Sequence, residues 1–456
     1  MALIGERFDG HDFIKQAMER GAIGAIVSKE IEQNVGCIIK VSDTLQALGD
    51  IAKSYRERFH IPVIGITGSN GKTTTKDMIA SVLQERYRTL KSEGNLNNTI
   101  GLPLTVFKLS KLHEALVLEM GISIPGEMSR LVDIAKPNIS VITNISPTHL
   151  EFLGSIEGVV AEKSILARST DIGVLNADDP NVVSMRNGVD GKTIFYGIKE
   201  PADVMADDID MDQYGKPKFR LIVKTNVEGE IDIHIPSIGK HNVYNALRAA
   251  SVGAILGIEL NLIKKALEMY QPMGMRMQRL DIEGITIIDD TYNSNPASLI
   301  AAVDFLLTID NIGKKVLVVG DMLELGEHSD KLHADVGNYI GMNAKYALSK
   351  LITVGERSSN VAKSAIESGI EEDKVIICKS NSEAAPLLLS ILKKGDIVLV
   401  KGFQRHEDGR DSQLHKRKDE RRLRIPEKSI QFLACFIIFF TKSLYSIFHH
   451  LTYLNI

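Results

Sequence analysis

The stretch Ile61-Pro62-Val63-Ile64-Gly65-Ile66-Thr67-Gly68-Ser69-Asn70-Gly71-Lys72-Thr73-Thr74 decides the fold. An apolar run gives way to glycines, and residues 73–87 continue with helical spacing, so the order is strand, glycine loop, helix. That order suits phosphate. Glycines let backbone N–H groups converge on phosphate oxygens, and a helix N-terminus adds positive potential. Lys72 is placed to neutralise β- and γ-phosphates, and the Thr73 hydroxyl to reach Mg²⁺. The strict loop pattern asks for glycine at position 66, where this chain has Ile66 between Gly65 and Gly68. The plain alternative is a tight turn capping a helix.

Working outward, residues 1–58 read as a small α/β piece, helical over 11–20, strand-like over 22–28 and helical over 42–59. Beyond the loop, strand-like runs at 115–119, 139–145 and 173–176 alternate with helical stretches such as 158–167. This alternation predicts a parallel sheet covered by helices. Residues 217–236 alternate polar and apolar positions, as antiparallel strands do, and a helix follows over 242–256. Pro272 and Gly274 mark residues 271–277 as a hinge. Short apolar strands at 285–290, 315–320, 351–354, 375–377 and 397–400, separated by helices, predict a second doubly wound unit.

The 456 residues allow three domains at roughly 150 residues each. A hydrophobic content of 44%, a charged content of 25% and a net charge of −4 are ordinary soluble usage and give no pull toward nucleic acid. Cys37, Cys378 and Cys435 are far apart, which fits a reducing cytoplasm. Met1–Gly10 lacks the layout of a secretion signal, and the apolar run at 430–440 is too short to span a bilayer. We therefore expect a cytoplasmic monomer with no stable membrane association and no nucleic-acid partner.

The loop over residues 67–73 resembles the nucleotide loop of the Mur ligases, a family that includes folylpolyglutamate synthases. Further landmarks agree in order: Gly94-Asn95-Leu96-Asn97-Asn98-Thr99-Ile100-Gly101-Leu102-Pro103, Leu118-Glu119-Met120-Gly121, and Asn144-Ile145-Ser146-Pro147-Thr148-His149-Leu150. Lys163, Gly239-Lys240-His241-Asn242 with Asn245, and Arg276 follow. The run Ile288-Asp289-Asp290-Thr291-Tyr292-Asn293-Ser294-Asn295-Pro296 looks specifically like the branch that adds D-alanyl-D-alanine. The resemblance covers residues 1–402.

It implies an α/β, three-domain Mur ligase architecture: a UDP-substrate domain at 1–58, a central ATP-binding domain with a P-loop parallel sheet at 59–271, and a Rossmann-like ligase domain at 272–402. ATP would be held by Gly68, Ser69, Asn70, Gly71, Lys72, Thr73 and Thr74, with Asn245 at adenine and Arg276 and Asp290 at phosphate and ribose. The nucleotide would then bridge two domains whose closure excludes water. Thr73, Glu119, His149 and a carbamylated Lys163 would hold two Mg²⁺ ions, and Lys72, His149 and Lys163 would be catalytic. Asn97 and Asn98 would meet the uridine-linked substrate, and Asn293 and Asn295 the dipeptide pocket. Local chemistry offers plainer readings: a strand-end acid for Glu119, a turn histidine for His149, a solvated helix lysine for Lys163, and capping or turn roles for the asparagines.

The implied reaction activates a peptide carboxylate as an acyl phosphate, which the amine of D-alanyl-D-alanine attacks. Its substrates would be UDP-N-acetylmuramoyl-tripeptide and D-alanyl-D-alanine, in peptidoglycan precursor synthesis. A folylpolyglutamate synthase-like ligase, or a nonfunctional remnant that still binds nucleotide, are the alternatives.

Two departures from the family stand out. The family usually begins with extra residues bearing a Ser-Asp-Ser-Arg-like motif, and Met1 to His11 starts just after it, so we expect a truncated substrate domain. After Val400-Lys401-Gly402 the family continues approximately Ser-Arg-Gly-Met-Lys-Met-Glu. Written as GGT TCC AGA GGC ATG AAG ATG GAA GAG AT, one T inserted after the first codon makes this text read Gly-Phe-Gln-Arg-His-Glu-Asp-Gly-Arg-Asp, the sequence from Gly402 to Asp411. We therefore read 403–456 as an aberrant, frameshifted tail. An accessory segment that touches membranes through its basic-then-apolar order is the alternative.

Overall fold

The computed structural model describes residues 1–5, 8–31, 36–310 and 312–402, so the expectations for 403–456 lie outside the described residues. The chain forms two compact units. The first comprises Met1–Ile209, Phe219–His234 and Val243–Tyr270; the second comprises Asp210–Lys218, Ile235–Asn242 and the described residues from Gln271 to Gly402.

In the first unit, β1 (Gly24–Val27) and β2 (Cys37–Lys40) pair in parallel over a small core of Ala2, Ile14 and Val27. Helix Thr44–Arg56 starts where the Asp43 carboxylate accepts the amide of Gln46. Its last turn is fastened to helix Glu127–Ala135: the buried Arg56 donates to the Ala135 carbonyl at 3.0 Å, and Lys53 pairs with Asp133 at 2.7 Å.

A nine-stranded sheet follows: β3 (Val63–Thr67), β4 (Thr89–Lys91), β5 (Ala115–Glu119), β6 (Ile139–Ile142), β7 (Ile172–Asn176), β8 (Lys192–Gly197), β9 (Val204–Met211), β10 (Pro217–Lys224) and β11 (Glu228–His234). Their order is β11-β10-β9-β8-β7-β6-β3-β5-β4, and every pairing from β4 across to β9 is parallel. The central strands are buried on both faces, which explains their unbroken apolar sequence. Chain order reverses around β3, flanked by β5 and β6, so a ligand crevice is expected at its carboxyl end. β10 alternates strictly between buried and less buried positions, as the sequence pattern predicts. The amide of Lys224 donates to Asp203 and that of Asp212 to Lys216, so β9 and β10 run antiparallel.

The second unit is a six-stranded sheet of β12 (Gln278–Ile282), β13 (Ile285–Asp290), β14 (Lys315–Gly320), β15 (Leu348–Val354), β16 (Val375–Cys378) and β17 (Ile397–Lys401), in the order β12-β13-β17-β14-β15-β16. All pairings are parallel except β12 with β13. Helices cover both faces: Leu317 and Val319 pack with Leu299, Val303 and Ile340, while Val316 and Val318 pack with Ala384 and Leu388. The two-residue period of a strand sends neighbours to opposite cores. β2, β4, β8, β9 and β12 are absent from the sequence reading. None is buried along its whole length, and none carries the unbroken apolar run of the central strands.

Among the described residues no helix is long and apolar enough to cross a membrane.

Candidate active site

The glycine loop leaves the carboxyl end of β3. Ile66, where the strict pattern wants glycine, is a buried strand residue in register with Glu119 and Val141. Two later glycines carry the tight geometry. Gly68 has φ +141°, and a β-carbon there would lie 1.9 Å from the Thr143 hydroxyl oxygen. Gly71 has φ +80° and caps helix Lys72–Gln84; a β-carbon there would lie 2.8 Å from Asn245 Oδ1. Only glycine fits either place. Thr73 is buried in the first turn of that helix and Thr74 half-buried beside it.

The loop is laced to residues 144–148. Ser69 donates its amide to the Asn144 carbonyl at 2.8 Å, and Asn144 pairs its side-chain amide with both backbone groups of Asn70. The hydroxyl of Ser69 donates to the Ser146 carbonyl and accepts from the Ser146 amide and Thr148 hydroxyl. The motif holding His149 thus also braces the loop. His149 itself stands at the head of helix Leu150–Leu153 with φ +55°.

Two lysines meet at one oxygen. Lys72 Nζ donates to the Gly68 carbonyl at 2.7 Å and to Ser69 at 3.2 Å, and Lys163 Nζ donates to the same Gly68 carbonyl at 3.0 Å. Lys163 lies in helix Ile156–Arg168 and is 1% exposed, so the solvated-lysine reading fails. Burial pushes its pKa well down and the Lys72 charge lowers it further, while Glu162 opposes them.

Glu119 ends β5, buried. One carboxylate oxygen accepts from the Asn97 amide at 3.0 Å; the other has no hydrogen-bond donor and lies 4.0 Å from the Lys76 ammonium. A buried carboxylate oxygen without a donor is unfavourable on its own and suits a hard cation. Among the described residues no three His, Cys, Asp or Glu side chains gather as a metal-ligand cluster, so an ion here would lean on phosphate and water oxygens as well. Asn97 is thereby drawn to Glu119, and the Asn98 side chain accepts the amides of Ile100 and Gly101 at the head of helix Gly101–Val106. Asn245 accepts from the Thr75 hydroxyl at 3.1 Å and from Arg248 at 2.5 Å.

The second unit gathers its candidates at the carboxyl end of β13. Asp290 pairs with the buried Lys401 at 2.8 Å, and Lys401 also donates to the Asn293 carbonyl at 2.6 Å. Arg276 stacks over the Tyr292 ring, 3.8 Å from its centroid. Asn295 forms a capping box with Ser298 at helix Pro296–Thr308. Next to these, Asp289 accepts from the Thr291 hydroxyl and amide, and burial raises its pKa to about 7.

The sequence reading missed Asn144, Arg248, Lys76 and Lys401 as functional candidates. Asn144 stood inside a quoted motif; the other three act through contacts no local pattern announces.

Comparisons with known proteins agree with this geometry. Residues 66–253 match the Mur ligase middle domain and 275–403 the Mur ligase, glutamate ligase domain. The UDP-N-acetylmuramoyl-tripeptide–D-alanyl-D-alanine ligase of Bacillus subtilis is 37% identical over 406 residues, covering 88% of this chain and 86% of the relative. The enzyme of the same name from Haemophilus influenzae is 36% identical, covering 75% of each. Among solved structures, MurF from Acinetobacter baumannii superposes with a TM-score of 0.81 at 32% identity, covering 88% of this chain and 86% of that one. MurF ligase from Thermotoga maritima in complex with ADP gives 0.77 at 29% identity, covering 88% and 90%. Mycobacterium tuberculosis folylpolyglutamate synthase, at 17% identity and 0.61, covering 79% and 92%, shares the fold alone. A braced glycine loop with two lysines on one carbonyl inside the matched middle domain, a second matched domain after it and relatives 36–37% identical over most of the chain leave one conclusion: the chain belongs to the Mur ligase family.

Proposed function

We propose that the chain joins D-alanyl-D-alanine to UDP-N-acetylmuramoyl-tripeptide with hydrolysis of ATP to ADP and phosphate, in peptidoglycan precursor synthesis. The observation that carries this is the 37% identity to a ligase of that name across 88% of the chain. In the reaction, a carboxylate oxygen of the tripeptide attacks the γ-phosphorus and ADP leaves. The dipeptide amine then attacks the acyl carbon, phosphate leaves, and the nitrogen gives up a proton.

The protein supplies positioning and charge. Lys72 exchanges the Gly68 and Ser69 carbonyls for phosphate oxygens, and the loop from Gly68 to Thr74 cradles them. Asn245, Arg276 and Asp290 take the nucleotide roles that the resemblance implies. Glu119, Thr73, His149 and Lys163 are the residues to hold two Mg²⁺ ions, which when bound neutralise charge on the phosphate oxygens. The depressed pKa of Lys163 supports carbamylation, because the neutral amine is the form that adds to CO2. Asn97 and Asn98 remain candidates for the uridine-linked substrate, and Asn293 and Asn295 for the dipeptide, by family likeness.

We keep domain limits of 1–58, 59–271 and 272–402, and a cytoplasmic monomer, as part of the same reading. The frameshift reading of 403–456 is supported by the family match ending at residue 403; the coding DNA tests it directly.

The deciding experiment measures phosphate release by purified protein given ATP, Mg²⁺, the uridine tripeptide and D-alanyl-D-alanine, with each omitted in turn. Release that requires both acceptor substrates supports the ligase. ATP binding without turnover favours the remnant instead.

A further inference from the structure

Arg248 lies in helix His241–Ile255 and is 3% exposed. Its Nε donates to the Tyr196 hydroxyl at 2.7 Å, Nη1 to Asn245 Oδ1 at 2.5 Å and the Thr75 hydroxyl at 3.4 Å, and Nη2 to the Thr143 carbonyl at 3.0 Å. None of these acceptors carries a charge, and Arg248 forms no ion pair among the described residues. A guanidinium withdrawn from water without a counter-charge is unfavourable, even when its hydrogen bonds are met. Lys76, another buried cation of this unit, does have acids beside it, Asp77 at 3.6 Å and Glu119 at 4.0 Å.

Its position suggests what balances it. A β-carbon on Gly71 would lie 3.3 Å from Arg248 Nη1, so the charge rests against the turn that opens helix Lys72–Gln84. The same arginine holds Thr143, which confines Gly68, and Asn245, which confines Gly71. We propose that Arg248 is the buried counter-charge of the nucleotide's polyphosphate, acting across the Gly71 turn. The proposal rests on the loop being the nucleotide site. At a separation of several ångströms, with solvent excluded, one fixed charge should favour a diphosphate over a neutral nucleoside by roughly tenfold.

The test titrates wild type, R248Q and R248K with ADP and with adenosine by calorimetry, checking each fold by circular dichroism. R248Q should weaken ADP roughly tenfold and leave adenosine within about twofold, and R248K should keep ADP within about threefold. Unchanged ADP affinity in R248Q overturns the proposal. So does an equal loss of ADP and adenosine, the signature of an arginine that only steadies Asn245. R248K decides by itself if R248Q does not fold: losing its preference for ADP over adenosine despite keeping the charge overturns the counter-charge. A wild type that binds no ADP removes the nucleotide reading of the loop, and the proposal with it.

Discussion

Lys72 and Lys163, ninety-one positions apart in sequence, donate to the same acceptor, the Gly68 carbonyl, at 2.7 and 3.0 Å. Two ammonium groups this close repel unless one is neutral, and Lys163, the buried one, is the group whose pKa is depressed. Lys72→Ala should lower kcat/KM at least about a hundredfold, the loss typical of removing one transition-state charge contact. With carbamylation of Lys163, protein prepared free of CO2 should be inactive and recover with bicarbonate, and ¹³C-bicarbonate should give a carbamate resonance that Lys163→Ala lacks. Activity indifferent to bicarbonate would count against the modification.

Asn97 and Glu119 form a second pair to perturb. Removing the amide in Asn97→Ala frees the one fixed oxygen of Glu119, so the carboxylate loses its orientation. The Mg²⁺ concentration for half-maximal turnover should rise about tenfold, as when a metal ligand loses its supporting hydrogen bond. Glu119→Gln should raise it further. An unchanged Mg²⁺ dependence in both variants would remove Glu119 from the metal site.

Gly68→Ala places a methyl against Thr143 in a left-handed backbone region. The strain is worth about 1–3 kcal/mol before the clash is added, and it should appear as a lower Tm and lost ADP binding. Gly68→Ala combined with Thr143→Ala should recover part of both, since the nearest clashing atom is the threonine hydroxyl. No recovery would mean that the backbone angle alone requires glycine.

Asp289 makes stability depend on pH. Its folded pKa is about 7, raised first by burial and also by Asp290, against the opposing pull of Thr291 and Lys401. The unfolded value is near 3.9. Between about 4 and about 7 the folded chain therefore holds a proton that the unfolded chain has released. The contribution of this carboxyl is fully present below about 4 and fades as pH rises toward about 7. Asp289→Asn should flatten that part of the denaturant-midpoint profile. A wild-type midpoint that rose through this window, with the same slope in the variant, would contradict the assignment.

What the chain order reveals and what it hides divide along a physical line. The strand-loop-helix order, the fully buried strands β3, β5 and β6, the second doubly wound sheet and the alternation in β10 were all readable, because each follows from a short-range period or from a glycine that only one geometry requires. Strands β2, β4, β8, β9 and β12 were not, because they carry neither an unbroken apolar run nor a strict two-residue alternation.

At the site, the sequence and its family likeness named Lys72, Thr73, Glu119 and Lys163 as chemistry-bearing residues. That Lys163 is dry, that Asn97 points its amide at Glu119, and that Arg248 underlies the loop were decided by folding alone. Burial and through-space partnership depend on segments tens to more than a hundred positions away: Asn97 reaches across 22 residues, Lys163 across 95 and Arg248 to Thr143 across 105. Local propensity specifies which elements form. Desolvation and the choice of hydrogen-bond partner exist only once those elements are packed.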